Sequence, residues 1–250
     1  MIRVTHGSVS KEFPVMSNYS HDLSRFTMAS NIADGLNQAF NKWPAMFNSM
    51  YYGMSDSDRW TALLATQTAA LLLIEQGELL NYTVASDMLD HFLDESGTDY
   101  IIDFTAMLNN DEHIKETRNQ NIDVAIEIIE SISAAKPNGT LGTIKGFGCA
   151  GSNNPAWYLG IHDYSVGIVI DYSKISSNRY TATIEYTLYD VYDWRQDDTS
   201  FLGIAQSHLW ELHHAGWAKN FFVTGTNTVT ITWTTGQRLS LGNNIITSES

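Results

Sequence analysis

The densest group of ionisable side chains in the sequence lies between positions 189 and 198, which read YDVYDWRQDD. It holds four carboxylates and one cation: Asp190, Asp193, Asp197, Asp198 and Arg195. Carboxylate oxygens are hard ligands that suit Mg²⁺ or Ca²⁺, although the spacing is not that of an EF-hand loop. The stretch predicts either a divalent-metal site or a solvated acidic turn that closes a hairpin, with Tyr192 and Trp194 as ordinary packing residues.

The alternation of side chains along a strand decides which of these carboxylates can act together. Residues 179–190 alternate polar and apolar types, which predicts a strand with Leu188 on a buried face. Asp190 falls on the same face, where a carboxylate costs free energy unless it is paired or metal-bound. Because Asp193 would point to the opposite face of a regular strand, we expect the strand to bend or end near Val191.

A second group is rich in histidine, since residues 208–220 read HLWELHHAGWAKN. On a helix His213 shares a face with two leucines, whereas His214 lies with Trp210, so we expect one of the two histidines to be buried. The spacing of His208 and His213 separates them around a helix and argues against a zinc pair. The pattern favours a core histidine with satisfied ring nitrogens, and proton transfer near neutral pH is the alternative.

Other catalytic patterns are missing from the sequence. Residues 146–151, GFGCAG, superficially match a dinucleotide-binding loop, but they lack a βαβ context and an acidic partner about 20 residues further on. We interpret them as a turn. Neither a Gly-x-Ser-x-Gly elbow nor a phosphate-binding Gly-Lys-Ser/Thr loop occurs.

The elements that must position these groups begin with helices. Between residues 28 and 135 the apolar residues recur every three or four positions, and Pro44 is the only proline. Ser55 or Ser57 can cap a first helix. Its expected buried stripe consists of Trp60, Leu63, Leu64, Leu71 and Leu72.

Two further helices follow in the first half of the chain. The second ends near Gly97, and the third covers residues 111–133 and stops at the KPNG sequence of residues 136–139. The expected core positions of the second helix are Met88, Leu89, Phe92 and Leu93. Those of the third helix are Ile122, Ala125, Ile126 and Ile129.

The second half of the chain has the composition of β-structure, rich in Gly, Thr, Tyr and Trp. Alternation predicts strands over residues 157–161, 166–172 and 179–190. A helix is expected over residues 204–220, followed by a hairpin over residues 221–233 that turns at Gly225-Thr226-Asn227. The sequence therefore predicts an α+β protein: an N-terminal helical lobe, residues 1–139, then an antiparallel β-rich lobe, residues 140–250, with one inserted helix, in one compact unit.

The composition excludes several classes of function. Fourteen Lys and Arg face 28 Asp and Glu, so the net charge is -14 and a nucleic acid would be repelled. Cys149 is the only cysteine, which excludes an intramolecular disulfide and a cysteine-based metal site. The start of the sequence lacks the apolar stretch of a Sec signal peptide. The apolar residues 63–74 are too few to span a bilayer, so we expect a buried core helix there.

Three elements of the second half carry a resemblance: DVYDW at 190–194, LHHAGWAKNF at 212–221 and Trp233. Residues 157–233 resemble a toxin domain of secreted and polymorphic antibacterial proteins. That domain has a D-x-Y-(D/N)-W element, a helix of the form L-H-(R/H)-A-G-x-A-(K/R)-x-F and a strand that ends in Trp. The D-x-Y-D element followed later by His is also similar to the catalytic signature of colicin M-type bacteriocins, which cleave the peptidoglycan precursor lipid II.

The colicin M resemblance implies a metal-dependent hydrolase acting on the pyrophosphate linkage of lipid II. The catalytic residues that it implies are Asp190, Tyr192, Asp193 and His213, with Mg²⁺ or Ca²⁺ held by Asp190 and Asp193. The expected substrate contacts are Trp194, Arg195, His214 and Lys219. Two departures stand out, because His213 follows Asp193 by 20 residues and His214 replaces the family's arginine.

The resemblance also implies partners and a place of action. The protein would be an interbacterial effector, carried by a secretion or delivery apparatus and neutralised by a cognate immunity protein. It would act in the periplasm or cell-wall space of target bacteria. Three alternatives stay open: a peptidoglycan glycan hydrolase acting through paired carboxylates, a pore former that inserts residues 63–74, and a non-enzymatic binding module whose acidic turn holds a structural ion.

Overall fold

The computed structural model describes residues 2–6, 9–13, 55–148, 154–161, 163–194, 200–201 and 204–250. Strands β1 (Ile2–His6) and β2 (Val9–Phe13) pair with each other as an antiparallel hairpin. The helices that follow are α1 (Asp56–Leu79), α2 (Thr83–Leu93), α3 (Phe104–Asn110) and α4 (Glu112–Ile132). The short strand β3 (Tyr100–Ile101) lies between α2 and α3.

The second half of the chain forms the main sheet. Its long strands are β4 (Asn138–Gly148), β5 (Asp163–Lys174), β6 (Arg179–Tyr192), β9 (Phe221–Thr234) and β10 (Ile246–Glu249). They are antiparallel in the order β10-β9-β6-β5-β4, and β3 pairs with β9 in parallel. Two helices are inserted, α5 (Pro155–Gly160) and α6 (Gln206–Ala215), and the short strands β7 (Ser200–Phe201) and β8 (Ile204–Ala205) precede α6. The predicted α+β class is confirmed, with two inserted helices where one was expected.

Strand β9 corrects the predicted hairpin over residues 221–233. All 14 residues of β6 pair with β9 without a register shift, from Arg179 opposite Thr234 to Tyr192 opposite Phe221. Gly225 therefore sits inside a strand, and a Cβ there would lie 2.6 Å from Ile102 Cγ2. Glycine is needed for this close approach, so the turn signal was misleading.

The segment of residues 157–161, predicted as a strand, is mostly helix α5. The Asn154 side chain accepts a hydrogen bond from the Ala156 N–H at 3.0 Å, and Pro155 occupies the first helical turn. Both are helix-start signals, and they outweigh five residues of alternation. The predicted turn at 146–151 is also wrong for residues 146–148, which belong to β4 and pair with β5, whereas residues 149–151 lie outside the described residues.

Helices α2 and α4 confirm the second and third predicted helices. Asp111 caps α4 by accepting the Ile114 N–H at 3.1 Å, a position where a carboxylate also favours the helix dipole. The predicted core residues of α4 are all buried, and so are Met88, Leu89 and Phe92 of α2. These two helices pack their apolar faces into a core cluster shared with β5, β6 and β9.

Helix α1 corrects the predicted buried stripe. Ser55 is its N-cap and accepts the Asp58 N–H at 3.2 Å. The side chains that α1 buries are Leu63, Thr66, Ala70 and Ile74, whereas Trp60, Leu64, Leu71 and Leu72 are 41–59% exposed. Apolar residues surround the whole helix, so their spacing does not define a single face. No helix in the described part of the chain is long and apolar enough to cross a membrane.

The hydrophobic core is shared between the helices and the sheet. One cluster of buried residues runs from Leu63 in α1 to Ile245 before β10. Strand β4 begins at Asn138, two residues before the predicted lobe boundary. The division into lobes at residues 139 and 140 stays a prediction, and residues 14–54 of the first lobe lie outside the described residues.

The corrected orientation of α1 makes a stability prediction. Leu63→Ala removes a side chain that is 5% exposed and is expected to lower the free energy of unfolding by about 2–5 kcal/mol. Leu71→Ala, at a position 48% exposed, is the matched control and should change it by less than about 0.5 kcal/mol. Urea unfolding followed by circular dichroism measures both variants, and the reverse order of effects would contradict the orientation.

Candidate functional site

The carboxylates predicted to act together lie at the end of strand β6. The strand ends at Tyr192, one residue beyond Val191, so Asp193 lies outside it. The alternation that would have placed the side chains of Asp190 and Asp193 on opposite faces therefore does not apply to Asp193. Asp190 pairs with Val223 of β9 and is half-buried, as is Asp193. The sequence had placed Asp190 on a buried face, and the structure leaves part of this residue open to solvent.

Tyr192 lies in a cluster of aromatic rings. It stacks on Phe221 with ring centroids 4.9 Å apart and meets Trp194 edge-on at 5.5 Å and Phe92 at 6.0 Å. Its side chain is buried, and this burial raises the pKa of the Tyr192 hydroxyl above its ordinary value. At neutral pH Tyr192 is therefore a phenol that can donate a hydrogen bond, and not a phenolate that could accept a proton.

The end of helix α6 is brought next to this cluster by the start of β9. Gly216 has a φ of 80°, its N–H donates to the His213 carbonyl at 3.2 Å, and the Trp217 N–H donates to the Leu212 carbonyl at 2.8 Å. This is a Schellman cap, which explains the glycine. Nothing lies within 4 Å of a Cβ built at Gly216, so its positive φ, and not close packing, is the reason for glycine at this position.

His213 is held by the chain that leads from α6 into β9. Its Nδ1 accepts a hydrogen bond from the Asn220 N–H at 3.2 Å, and the next residue, Phe221, pairs with Tyr192. Asn220 and Phe221 thus connect His213 to the end of β6. The end of α6 and the end of β6 therefore lie at the same edge of the sheet.

The two neighbouring histidines carry their protons on different nitrogens. A backbone N–H can only donate, so neutral His213 has its proton on Nε2. A carbonyl can only accept, so His214 donates from Nδ1 to the Trp210 carbonyl at 2.9 Å. The His214 ring also stacks on Trp210 at 3.7 Å. In this arrangement His213 Nε2 is a hydrogen-bond donor, and His214 Nε2 is the acceptor.

The burial expected for one of these histidines is not found, because both are half-buried. They lie in the last turn of α6, beyond Leu209 and Leu212, which are fully buried. His208 lies apart from them, with its Nδ1 3.3 Å from the Thr66 hydroxyl of α1.

The remaining predicted contact residues are distributed around this edge. Trp194 is buried against Phe92, with ring centroids 6.3 Å apart. Lys219 is exposed, its backbone N–H donates to the Phe92 carbonyl at 2.8 Å, and its aliphatic stem lies against Gly97. Arg195 lies outside the described residues, as do Asp197 and Asp198.

Two polar residues near His213 were missed from the sequence. Both side-chain atoms of the Asn220 amide are buried and make no hydrogen bond among the described residues. Glu211 is completely buried, and its carboxylate lies 3.9 Å from the Arg59 guanidinium without a hydrogen bond from the described residues. Glu211 stands between buried apolar residues of α6, a signal that could have identified it, whereas nothing in the sequence marks Asn220.

The donor set suits a hard divalent cation in part. In the described portion of the chain no group of three or more His, Cys, Asp or Glu is placed to hold a metal ion. Asp190 and Asp193 offer two carboxylates, and Mg²⁺ commonly uses one or two carboxylates together with substrate phosphates and water. The chemistry of these two residues therefore fits such an ion, whose other ligands would have to come from outside the described residues.

Comparison with known proteins gives one group of similar structures. No family model and no curated protein matches the sequence. The chain is similar to the bacteriocin syringacin M from Pseudomonas syringae pv. tomato DC3000, with 16% identity and a TM-score of 0.35 over 60% of this chain and 51% of that chain. A truncated syringacin M is 18% identical, with a TM-score of 0.36 over 62% of this chain and 61% of that chain. An aspartate-to-alanine mutant of syringacin M is 17% identical, with a TM-score of 0.34 over 60% of this chain and 52% of that chain. The chain spans about half to three fifths of these structures.

The hydrogen bonds of the two histidines make a prediction that does not depend on activity. At a pH where both rings are neutral, nitrogen NMR is expected to find the proton of His213 on Nε2 and that of His214 on Nδ1. His214 serves as the internal control, because its partner is a carbonyl. A proton on His213 Nδ1 would contradict the contact with the Asn220 N–H.

Proposed function

We propose that this chain is an antibacterial toxin that hydrolyses the pyrophosphate linkage of lipid II with the help of a divalent metal ion. One observation carries the proposal. The D-x-Y-D-W element at the end of β6 and the histidines at the end of α6 meet at one edge of the sheet, because Tyr192 pairs with Phe221 and Asn220 binds His213. Asp193 and His213, which are 20 positions apart in the sequence, are thus connected through the Tyr192–Phe221 pair and the Asn220–His213 hydrogen bond.

The charge of the protein explains why an ion is needed. A net charge of -14 repels a pyrophosphate, and so do Asp190 and Asp193. These two carboxylates would hold Mg²⁺ or Ca²⁺, which supplies positive charge to the phosphate oxygens when it is bound. Among the described residues of this edge, Lys219 adds one exposed positive charge.

The other motif residues act in this proposal as hydrogen-bond donors. Neutral His213 donates a hydrogen bond from Nε2 to a phosphate oxygen on which negative charge develops. Such a donor lowers the activation barrier of hydrolysis when its ring is already oriented before the reaction. The Asn220 N–H provides that orientation. Tyr192 adds a neutral hydroxyl. Because His214 Nδ1 carries the proton, Nε2 is its unprotonated nitrogen and is the one that can take a proton in this proposal, a role that the sequence had assigned to His213.

Two partners belong to the proposal. Lipid II is displayed on the outer side of the cytoplasmic membrane, so a secretion or delivery apparatus would have to carry the toxin to its target. A cognate immunity protein would protect the producing cell.

The first test of the proposal is a charge-neutralising variant. Asp190→Asn keeps the shape of the side chain and removes its charge, so hydrolysis of labelled lipid II with Mg²⁺ is expected to fall by about 10²-fold or more. Glu185→Gln is the matched control, because it neutralises an exposed carboxylate on the outer face of the same strand. The melting temperature should stay close to that of the wild type in both variants. Full activity of Asp190→Asn, or equal Mg²⁺ binding by calorimetry, would refute the assigned site.

The second test is the compartment in which the protein is toxic. Export to the periplasm of a bacterium is expected to cause lysis, whereas cytosolic expression should leave growth unchanged, because the proposed linkage is reached from outside. Periplasmic Asp190→Asn is the control for lysis caused by export alone. Killing from the cytosol, or leakage of dye from protein-free liposomes, would favour another class of toxin.

A further inference from the structure

A cavity of about 80 Å³, partly open to solvent, lies between helices α1, α2 and α5. Its walls include Leu73 and Leu80 from the end of α1, Ala85 and Leu89 from α2, Leu159 from α5, and Tyr192 from β6. One of the motif residues thus forms part of the wall of an apolar cavity.

The lining suits a hydrocarbon. None of the described residues that line the cavity is Asp, Glu, Lys, Arg or His. The Ser86 hydroxyl in the wall already donates to the Ile74 carbonyl at 3.2 Å, so it is not available to a polar ligand. A ligand that fills this space gains free energy by burying apolar surface.

The cavity joins two other features of the surface. Among the lining residues Leu80 is 51% exposed and marks the mouth of the cavity, and the preceding residue in the chain, Leu79, is 84% exposed. At its other side Tyr192 lies two residues from Asp190 on the same strand, a spacing of about 7 Å. The cavity therefore adjoins the end of β6 that carries Asp190, and one of its lining residues, Leu80, is exposed to solvent.

We infer that this cavity binds the hydrocarbon chain of a lipid-linked substrate, taking the part of the chain next to the phosphate. This inference rests on the proposed function for the identity of the head group, and it adds the recognition of the lipid. The chain would enter past Leu80, lie against Leu89 and Leu159, and reach the Tyr192 ring. A substrate with the same head group and no hydrocarbon chain would lose this contact entirely.

Binding of farnesol, an isoprenoid alcohol without phosphate, tests the inference apart from hydrolysis. The full chain is titrated with farnesol by calorimetry, and saturable binding is expected. Ala85→Leu fills the cavity and should weaken the affinity at least tenfold, equal to about 1.4 kcal/mol. Leu80→Glu, at an exposed position that tolerates a change, places a carboxylate at the mouth and should weaken it to a similar extent. Leu79→Glu is the matched control, because this adjacent residue is exposed and does not line the cavity.

The outcomes separate this inference from the proposed function. The hydrocarbon site is supported if Ala85→Leu and Leu80→Glu lose farnesol binding while Leu79→Glu and Asp190→Asn keep it. This conclusion holds whatever the result with lipid II. Absence of farnesol binding, equal binding by all variants, or loss in Leu79→Glu alone overturns it. If Asp190→Asn loses lipid II hydrolysis and binds farnesol as the wild type does, the result supports the assigned head-group site and leaves the hydrocarbon site unaffected.

Discussion

The pairing of β6 with β9 is the constraint on which the rest of the structure depends. The ladder runs without a bulge along the whole of β6. Because alternate residues face opposite sides, a slip of one residue in either strand would exchange its core and solvent faces. The register keeps Ile184 and Leu188 in the core together with Val229 and Ile231. The same register sets Tyr192 opposite Phe221, so the packing of the core and the geometry of the site are fixed by one set of hydrogen bonds.

Helix α2 connects the parts of the site that the ladder does not reach. Phe92 contacts the rings of Tyr192 and Trp194, and its carbonyl accepts the Lys219 N–H. One residue of α2 thus touches both the end of β6 and the segment that leads into β9. Leu89, one turn earlier on the same helix, lines the apolar cavity. The aromatic cluster is consequently packed against α2 on one side and borders the cavity on the other.

The sequence predicted the elements whose local signals agree with their tertiary surroundings. Helix α4 has a cap and a single apolar face, and β6 has clean alternation, so both were found near their true bounds. The errors arose where a local signal had another cause. Gly225 suggested a turn but is a packing glycine, and α1 is apolar all round, so only its neighbours decide which side is buried. The proximity of His213 to the end of β6 depends on the strand pairing, which spacing along the chain does not encode. The protonated nitrogen of His213 depends on one backbone N–H, and no pattern of residue types reveals it.

Two carboxylates of α4 hold a segment that is far away in the sequence. Asp123 accepts the N–H groups of Leu239 and Ser240 at 2.7 and 2.9 Å. Glu130 pairs with Arg238 at 2.8 Å and accepts the Trp233 indole N–H at 3.2 Å. These contacts join residues more than 100 positions apart, and closing such long loops costs entropy before any contact repays it. Long-range pairings of this kind raise the contact order of a fold, which slows its folding. Helix α4 has its own cap and apolar face, but its polar partners lie in β9 and in the segment after it, so they meet the helix only when the long loop between them closes.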